Sequence, residues 1–194
     1  ESFSKALAAL DQVGLPAVFF VPTTFVGERR LYWWERIALV LNSTKLASAA
    51  IAYPERRTIV ARDPLALRHL AALVKDTPRL DLERFLTELA RGFAVDWNLA
   101  LEHRYADEIV MTWDHVRALA AAGMDVESHT RSHRVLQTLE PGELADELTG
   151  SKRELEAQLG RRVRAVAYPV GRRIAHIAAI RRAVAAAGYE LGFT

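Results

Sequence analysis

Apolar positions recur along the chain with two alternating periods. Phe3, Leu7, Leu10 and Val13 fall at helical spacing, and Gly14 marks the stop of that helix. "PAVFFVP", residues 16–22, sets five small or β-prone apolar residues between two prolines, which predicts a short strand buried on both faces. "TWDHVRALAAAG" predicts a helix with Thr112 as N-cap, Asp114 in its first turn and Gly123 at its close. "MDV" follows as a short strand. "PGELADELTGSKRELEAQLG", residues 141–160, reads as a long surface helix with i,i+4 charge pairs around Glu147, Ser151, Lys152 and Glu156. "VRAVAYPVG" is a strand ended by a Pro–Gly turn, "IAHIAAIRRAVAAAG" a helix, and "YELGFT" a last strand. Helix then strand, repeated four times, implies parallel strands joined by helical crossovers.

One region breaks this rhythm. Between Gly27 and Ile109, "YWWERIALVL" predicts an aromatic-headed helix and "ASAAIAYPERRTIVA" two short strands joined at Pro54–Arg56. "PLALRHLAALVK" and "LERFLTELARGF" add two amphipathic helices. Residues 28–109 are therefore expected as a mainly helical insertion, without a separate hydrophobic core large enough to fold alone, inside one α/β domain spanning 1–194. That single-domain expectation agrees with the length of 194 residues.

Composition removes several function classes. With 51% hydrophobic and 26% charged residues the chain is a folded protein, not a disordered one. A net charge of +2 leaves no electrostatic footprint for nucleic acid, despite a pI near 9.1. No apolar run approaches the roughly 20 residues that a transmembrane helix needs, and the first ten residues lack the pattern of a signal peptide. Cysteine is absent, so disulfides and thiol catalysis are excluded. Both ends read as cut, since Glu1 falls straight into a helix pattern and "YELGFT" into a strand.

Chemistry enters at "HTRSH". His129 and His133 stand four residues apart just after a short strand, and on a helical turn such a pair would face one ion together. Thr130 follows His129 where a zincin would carry its glutamate base. A bare pair of this spacing is more often two surface or half-buried histidines. The location at a strand end, where parallel α/β folds build their sites, changes those odds. Two imidazoles do not hold a catalytic metal alone, so a third ligand, typically a carboxylate, is needed from another strand end. Asp125 and Glu127, flanking the strand, are expected in structural or supporting roles. His115 and His176 lie near helix starts, and His69 and His103 in the insertion; all four read as ordinary histidines, the last two solvated. Tyr32, Trp33, Trp34 and Phe25 suit sugar stacking or packing, and packing is the commoner use.

"GLPAVFFVPTTFVG", "MTWDHVRALAAAGMDVESHTRSHRVLQTL" and "VRAVAYPVG", in this order and spacing, resemble successive segments of the NodB-like polysaccharide deacetylases, carbohydrate esterase family four. The resemblance covers nearly the whole chain outside 28–109. It implies an α/β fold, a distorted (β/α) barrel of the NodB-like type, here incomplete at both ends. It implies a divalent metal, usually zinc, with His129 and His133 as ligands. Pro169, Val170 and Gly171 match the turn whose backbone lines the acetyl pocket and offers an N–H to the oxyanion. The implied reaction is hydrolysis of an N-acetyl, sometimes O-acetyl, group on a glycan, and the implied location is the cell envelope or outside the cell. Departures are equally specific. The family's Thr-Phe-Asp-Asp-Gly strand end, source of the base and the carboxylate ligand, does not occur among these residues and is expected a few positions upstream of Glu1. Ala167 stands where the family's arginine would, and Arg164 is three residues too early to replace it. The motifs carrying a tryptophan wall and the general-acid histidine would lie beyond Thr194. The alternative to a metal-dependent deacetylase is a non-catalytic NodB-like module that binds carbohydrate or acts as a scaffold.

Overall fold

The computed structural model describes residues 2–171, 174 and 176–194, apart from the side chains of residues 2 and 4. It separates into two compact units, Leu31–Ala106 and the remainder of the chain on either side of it.

The first unit is built on four parallel strands: β1 (Val18–Val21), β4 (Asp125–Ser128), β5 (Ala165–Ala167) and β6 (Leu191–Phe193). They lie side by side in that order, with Val21 opposite Ser128, Ser128 opposite Val166 and Ala167 opposite Phe193. The helices of this unit are α1 (Leu7–Val13), α2 (Thr23–Glu28), α7 (Trp113–Ala121), α8 (Pro141–Leu159) and α9 (Ala178–Ala186). The helix–strand alternation read from the sequence is thus present, with the parallel pairing it required. Val116, Leu119, Val126, Leu148, Leu155, Val163 and Val166 are all fully buried between sheet and helices.

Local chemistry explains the element ends. Thr112 caps α7 through its side chain, which accepts from the His115 amide at 3.3 Å, while His115 Nδ1 accepts the Thr112 amide at 3.3 Å. Phe3 stacks on the His115 ring at 4.3 Å, so His115 is a capping and packing residue. Gly14 adopts φ 66° and closes α1, as its position predicts.

Three details differ from the sequence expectation. β1 is not buried on both faces: Val18 is exposed and only Val21 is fully buried, because among the described residues β1 pairs with β4 alone. α1 buries none of its residues, and Val13 is 62% exposed. Of the predicted helix 174–188, Ala175 lies outside the described residues and α9 begins only at Ala178.

The second unit contains α3 (Trp33–Ser43), the antiparallel pair β2 (Ser48–Ile51) and β3 (Arg57–Val60), α4 (Ala66–Asp76), α5 (Leu82–Gly92) and the start of α6 (Leu99–Ile109). The insertion has a buried core of its own. Trp33, Ile37, Ile51, Leu70, Phe85, Leu89 and Phe93 form a contiguous buried cluster in which the apolar faces of α3, α4 and α5 meet the hairpin. Trp33 lies in that cluster, Trp34 packs against it, and Tyr32 stacks on Trp34 at 4.7 Å, which is the packing use of these aromatics. Phe25, in the first unit, is buried in α2. Glu102 of α6 is buried as well, accepting the Leu31 amide and the Trp97 indole N–H at 3.1 Å each, with Arg36 Nε at 3.9 Å. His69 is exposed and His103 half-buried.

The close approach of β6 to the residue after β5 yields a testable consequence. A Cβ added at Gly192 would overlap the hydroxyl of buried Tyr168 and stand 2.6 Å from its Cζ, whereas one at Gly142 would meet nothing. Gly192→Ala should therefore lower stability by about 1–3 kcal/mol through overpacking. Gly142→Ala should be neutral or slightly stabilising. Thermal unfolding of both variants, followed by circular dichroism, makes the comparison.

Candidate functional site

His129 is the first residue past β4, and its amide donates to Val21 O at 3.0 Å, extending the β1–β4 ladder by one step. The chain then turns sharply. Thr130 (φ 66°) and His133 (φ 55°) both adopt the left-handed conformation, which residues with a Cβ rarely take. Residues 129–133 are thus a loop, not the helical turn supposed from the i,i+4 spacing. The two rings still converge, with centroids 4.6 Å apart and planes at 81°, but the corners at Thr130 and His133 bring them together. Each such corner costs about 1–3 kcal/mol and persists only where its surroundings over-determine it.

Those surroundings are specific. The Thr130 amide donates to Ser128 Oγ at 3.1 Å. The carbonyls of Thr130 and Arg131 accept the amides of Thr23 and Thr24, at 3.2 and 2.9 Å. These two donors open α2 and have no partner within their own helix, so loop and helix end satisfy each other. From the other side α8 presents Glu147, which accepts the amides of Arg131 and Ser132 at 2.9 Å each and the Ser132 hydroxyl. Arg131 reaches back along α8 to Asp146 at 2.7 Å and Glu154 at 2.9 Å, and Arg134 pairs with Glu143 at 2.7 Å.

His129 is oriented by β5. Its Nδ1 lies 2.9 Å from Ala167 O, and because a carbonyl only accepts, Nδ1 carries the hydrogen and Nε2 is left with its lone pair. Burial pushes the His129 pKa down and the carbonyl contact pushes it back up in part, with the net shift downward. A neutral imidazole whose other nitrogen is held by a carbonyl is the form a metal requires. His129 and His133 therefore fit two positions of a metal's donor set. Among the described residues no group of three or more histidine and acidic side chains gathers to complete it.

The remaining candidates fall into place around this edge. Ala167 leads directly into the turn at Pro169–Gly171, where Val170 takes φ 53° and the Gly171 amide donates to Tyr168 O at 3.1 Å. A side chain on Gly171 would stand 3.0 Å from Thr194 Cα and 3.1 Å from Tyr168 O, so those neighbours would have to give by a few tenths of an ångström to admit it. Glu127 is buried and accepts the amides of Arg164 and Ala165 at 2.8 and 2.7 Å, the structural role expected of it. Asp125 is exposed, 3.8 Å from Arg161. The Arg164 guanidinium pairs with Glu190 at 2.7 Å, and His176 is exposed.

Glu147 and Ser151, read from the sequence as part of a surface helix, are buried, and sequence reasoning missed Tyr189. Ser151 Oγ lies 2.9 Å from Ser128 Oγ and 3.0 Å from the Tyr189 hydroxyl, which also donates to Leu148 O at 3.1 Å. A signal for the first two existed: Leu144, Glu147, Leu148, Ser151 and Leu155 share one helical stripe, and two polar residues on a buried stripe announce partners.

The sequence profile of the polysaccharide deacetylase family matches residues 89–192, more than half of the chain. Among curated protein sequences none matches. Among solved structures, IcaB from Ammonifex degensii is 14% identical with a TM-score of 0.51, covering 100% of this chain and 54% of its own. The Streptococcus pyogenes deacetylase PplD, solved with acetate, is 29% identical with a TM-score of 0.39, covering 42% of this chain and 35% of its own. A CE4-family pseudoenzyme from Bacillus anthracis is 21% identical with a TM-score of 0.38, over 46% and 30% of the two chains. The likeness to IcaB concerns the fold, and it agrees with the NodB-type α/β architecture expected from the motifs. The chain spans about a third to a half of the length of these relatives.

Burial beneath the loop sets an alkaline limit. The Tyr189 hydroxyl is pushed up to about 12 from 10.0, chiefly by burial, with its serine contacts pulling the other way. A raised folded pKa contributes stability that is fully present below the unfolded value and is lost as pH rises through the folded one. Stability should therefore decline between pH 10 and about 12. Tyr189→Phe should flatten that decline while lowering stability at neutral pH through its lost hydrogen bonds. Urea unfolding at a series of pH values measures both effects.

Proposed function

The chain belongs to the polysaccharide deacetylase family, and on that footing we propose that it carries part of the active site of a metal-dependent hydrolase. The substrate class is an acetylated glycan or glycan precursor, with the N-acetyl group as the bond cleaved. The convergence of the His129 and His133 rings, with His129 held by the Ala167 carbonyl, is the observation that carries this reading. His129 and His133 hold a divalent ion, zinc by preference for imidazole donors. When bound, such an ion supplies Lewis acidity toward the acetyl carbonyl.

The chain's own residues do the rest of their share by positioning. Ala167 fixes the His129 tautomer through its carbonyl. The backbone of Pro169–Gly171 lines the acetyl group. Proline has no amide hydrogen and the Gly171 amide turns back to Tyr168 O, so the Val170 N–H is the donor assigned to the developing oxyanion. The described residues offer no base beside the histidines. Glu127 is committed to β5 amides, and Asp125 is exposed beside Arg161. As the resemblance of its motifs implies, we assign the third ligand, the base and the acid to parts of the protein other than residues 1–194.

A second reading, a non-catalytic NodB-like module, is favoured by one observation: no carboxylate of the described residues joins the two histidines. Metal content and acetate release separate the two. The full-length protein should release acetate from N-acetylated oligosaccharides, and a chelator should abolish it. His129→Ala and His133→Ala should each lower metal content sharply. Residues 1–194 alone should be inactive, since loss of a positioned base removes roughly 10²–10⁴-fold by itself. Full-length protein that binds metal through both histidines yet releases no acetate would establish the non-catalytic reading. Unchanged metal content in both variants would remove the metal centre from either.

A further inference from the structure

We propose that Glu147 is a positioning residue for the metal site: it fixes the angle at which His129 and His133 are presented. This inference rests on the metal reading above and concerns how the chain achieves it.

Three residues, Thr130, Arg131 and Ser132, separate the two histidines. The Thr130 amide ends on Ser128 Oγ at 3.1 Å. The other two amides, of Arg131 and Ser132, end on one carboxylate oxygen of Glu147 at 2.9 Å each, and the Ser132 hydroxyl ends on the other oxygen. One side chain thus sets two of the four peptide planes between the ligands. Glu147 is only 6% exposed, and a carboxylate in such a place is unfavourable unless its oxygens are filled. Here they are filled by the loop, through charge-assisted bonds that are shorter and more directional than neutral ones.

Glu147 acts on the histidines through the loop's backbone, whose Arg131 and Ser132 amides it accepts. α8 is suited to the task. Its lower stripe, Leu144, Leu148 and Leu155, is anchored in the core, and Ser151, one turn beyond Glu147, contacts Ser128 at the end of β4. The carboxylate is therefore referenced to the same strand end from which His129 springs. A leucine at position 147 would suit the stripe better and would leave the loop's two amides without an acceptor.

Zinc titration of the full-length protein, followed by isothermal calorimetry, tests this. Glu147→Ala should weaken zinc binding by about 10–100-fold, the range found when a ligand's supporting partner is removed. Glu147→Gln retains a carbonyl oxygen for both amides and an NH₂ group for the Ser132 oxygen, so it should recover most of the affinity. Ser132→Ala, which removes one of the three contacts and leaves Glu147 in place, should fall between. Leu155→Ala, about two turns further along α8, should lower the melting temperature without changing zinc affinity. With cobalt(II) as a spectroscopic probe, the visible absorption at saturation should change in Glu147→Ala and not in Leu155→Ala.

Wild-type affinity in Glu147→Ala overturns the proposal. So does a loss in Leu155→Ala as large as that in Glu147→Ala, because the effect would then be helix stability. If Glu147→Ala does not fold, Ser132→Ala decides, and unchanged affinity there overturns it. Zinc binding that is indifferent to His129→Ala and His133→Ala is a different result: it removes the metal reading, and this inference with it.

Discussion

Between β4 and β5 the backbone register amounts to a single pair, Ser128 with Val166, and side chains close the seam on either side of it. Glu127 lies on one side, gathering the amides of Arg164 and Ala165. His129 lies on the other, its Nδ1 against Ala167 O. A parallel ladder this short contributes little by itself, so sheet continuity at its middle depends on a buried carboxylate and an imidazole. The same contact that holds the sheet together also sets the tautomer of His129. Structural and chemical demands meet in one hydrogen bond, and the donor geometry of His129 cannot change without loosening the sheet where it is thinnest.

The polar content of α8 follows from this. A helix with a buried stripe would gain most from an apolar residue at every inward position. At two of them it carries Glu147 and Ser151 instead, 6% and 0% exposed. Their partners lie on the loop after β4 and at the strand's last residue, and Tyr189 completes the cluster from the segment before β6. Such a network stabilises only when every member is satisfied, and then it selects one arrangement of loop, strand and helix over its near neighbours.

Much of this was legible in the sequence, for identifiable reasons. The order of helices and parallel strands followed from hydrophobic period, and Thr112 announced its helix by cap chemistry. The pair His129 and His133 stood out by spacing, although the reason they converge was misread. Left-handed corners at Thr130 and His133 have no sequence signature, because neither is glycine. Ala167 contributes through a carbonyl, which every residue type possesses, and so no side-chain pattern could single it out. The helix α6 escaped notice because its inward positions are Glu102 and Ala106, one charged and one small, and no apolar stripe marks it. The separate core of residues 31–106 was hidden for another reason. The amphipathic faces of α4 and α5 were visible, but periodicity does not say which partner a face will meet.

The two left-handed corners have a kinetic meaning. A flexible loop bearing two ligands would have to close around an arriving ion and lose chain entropy as it did so. In this loop the closure has already occurred during folding, and its unfavourable dihedrals are offset by contacts with α2 and α8. On the metal reading proposed above, capture of an ion by these two nitrogens would resemble filling a rigid chelate: the ion would shed water, while the polypeptide would have almost nothing left to rearrange.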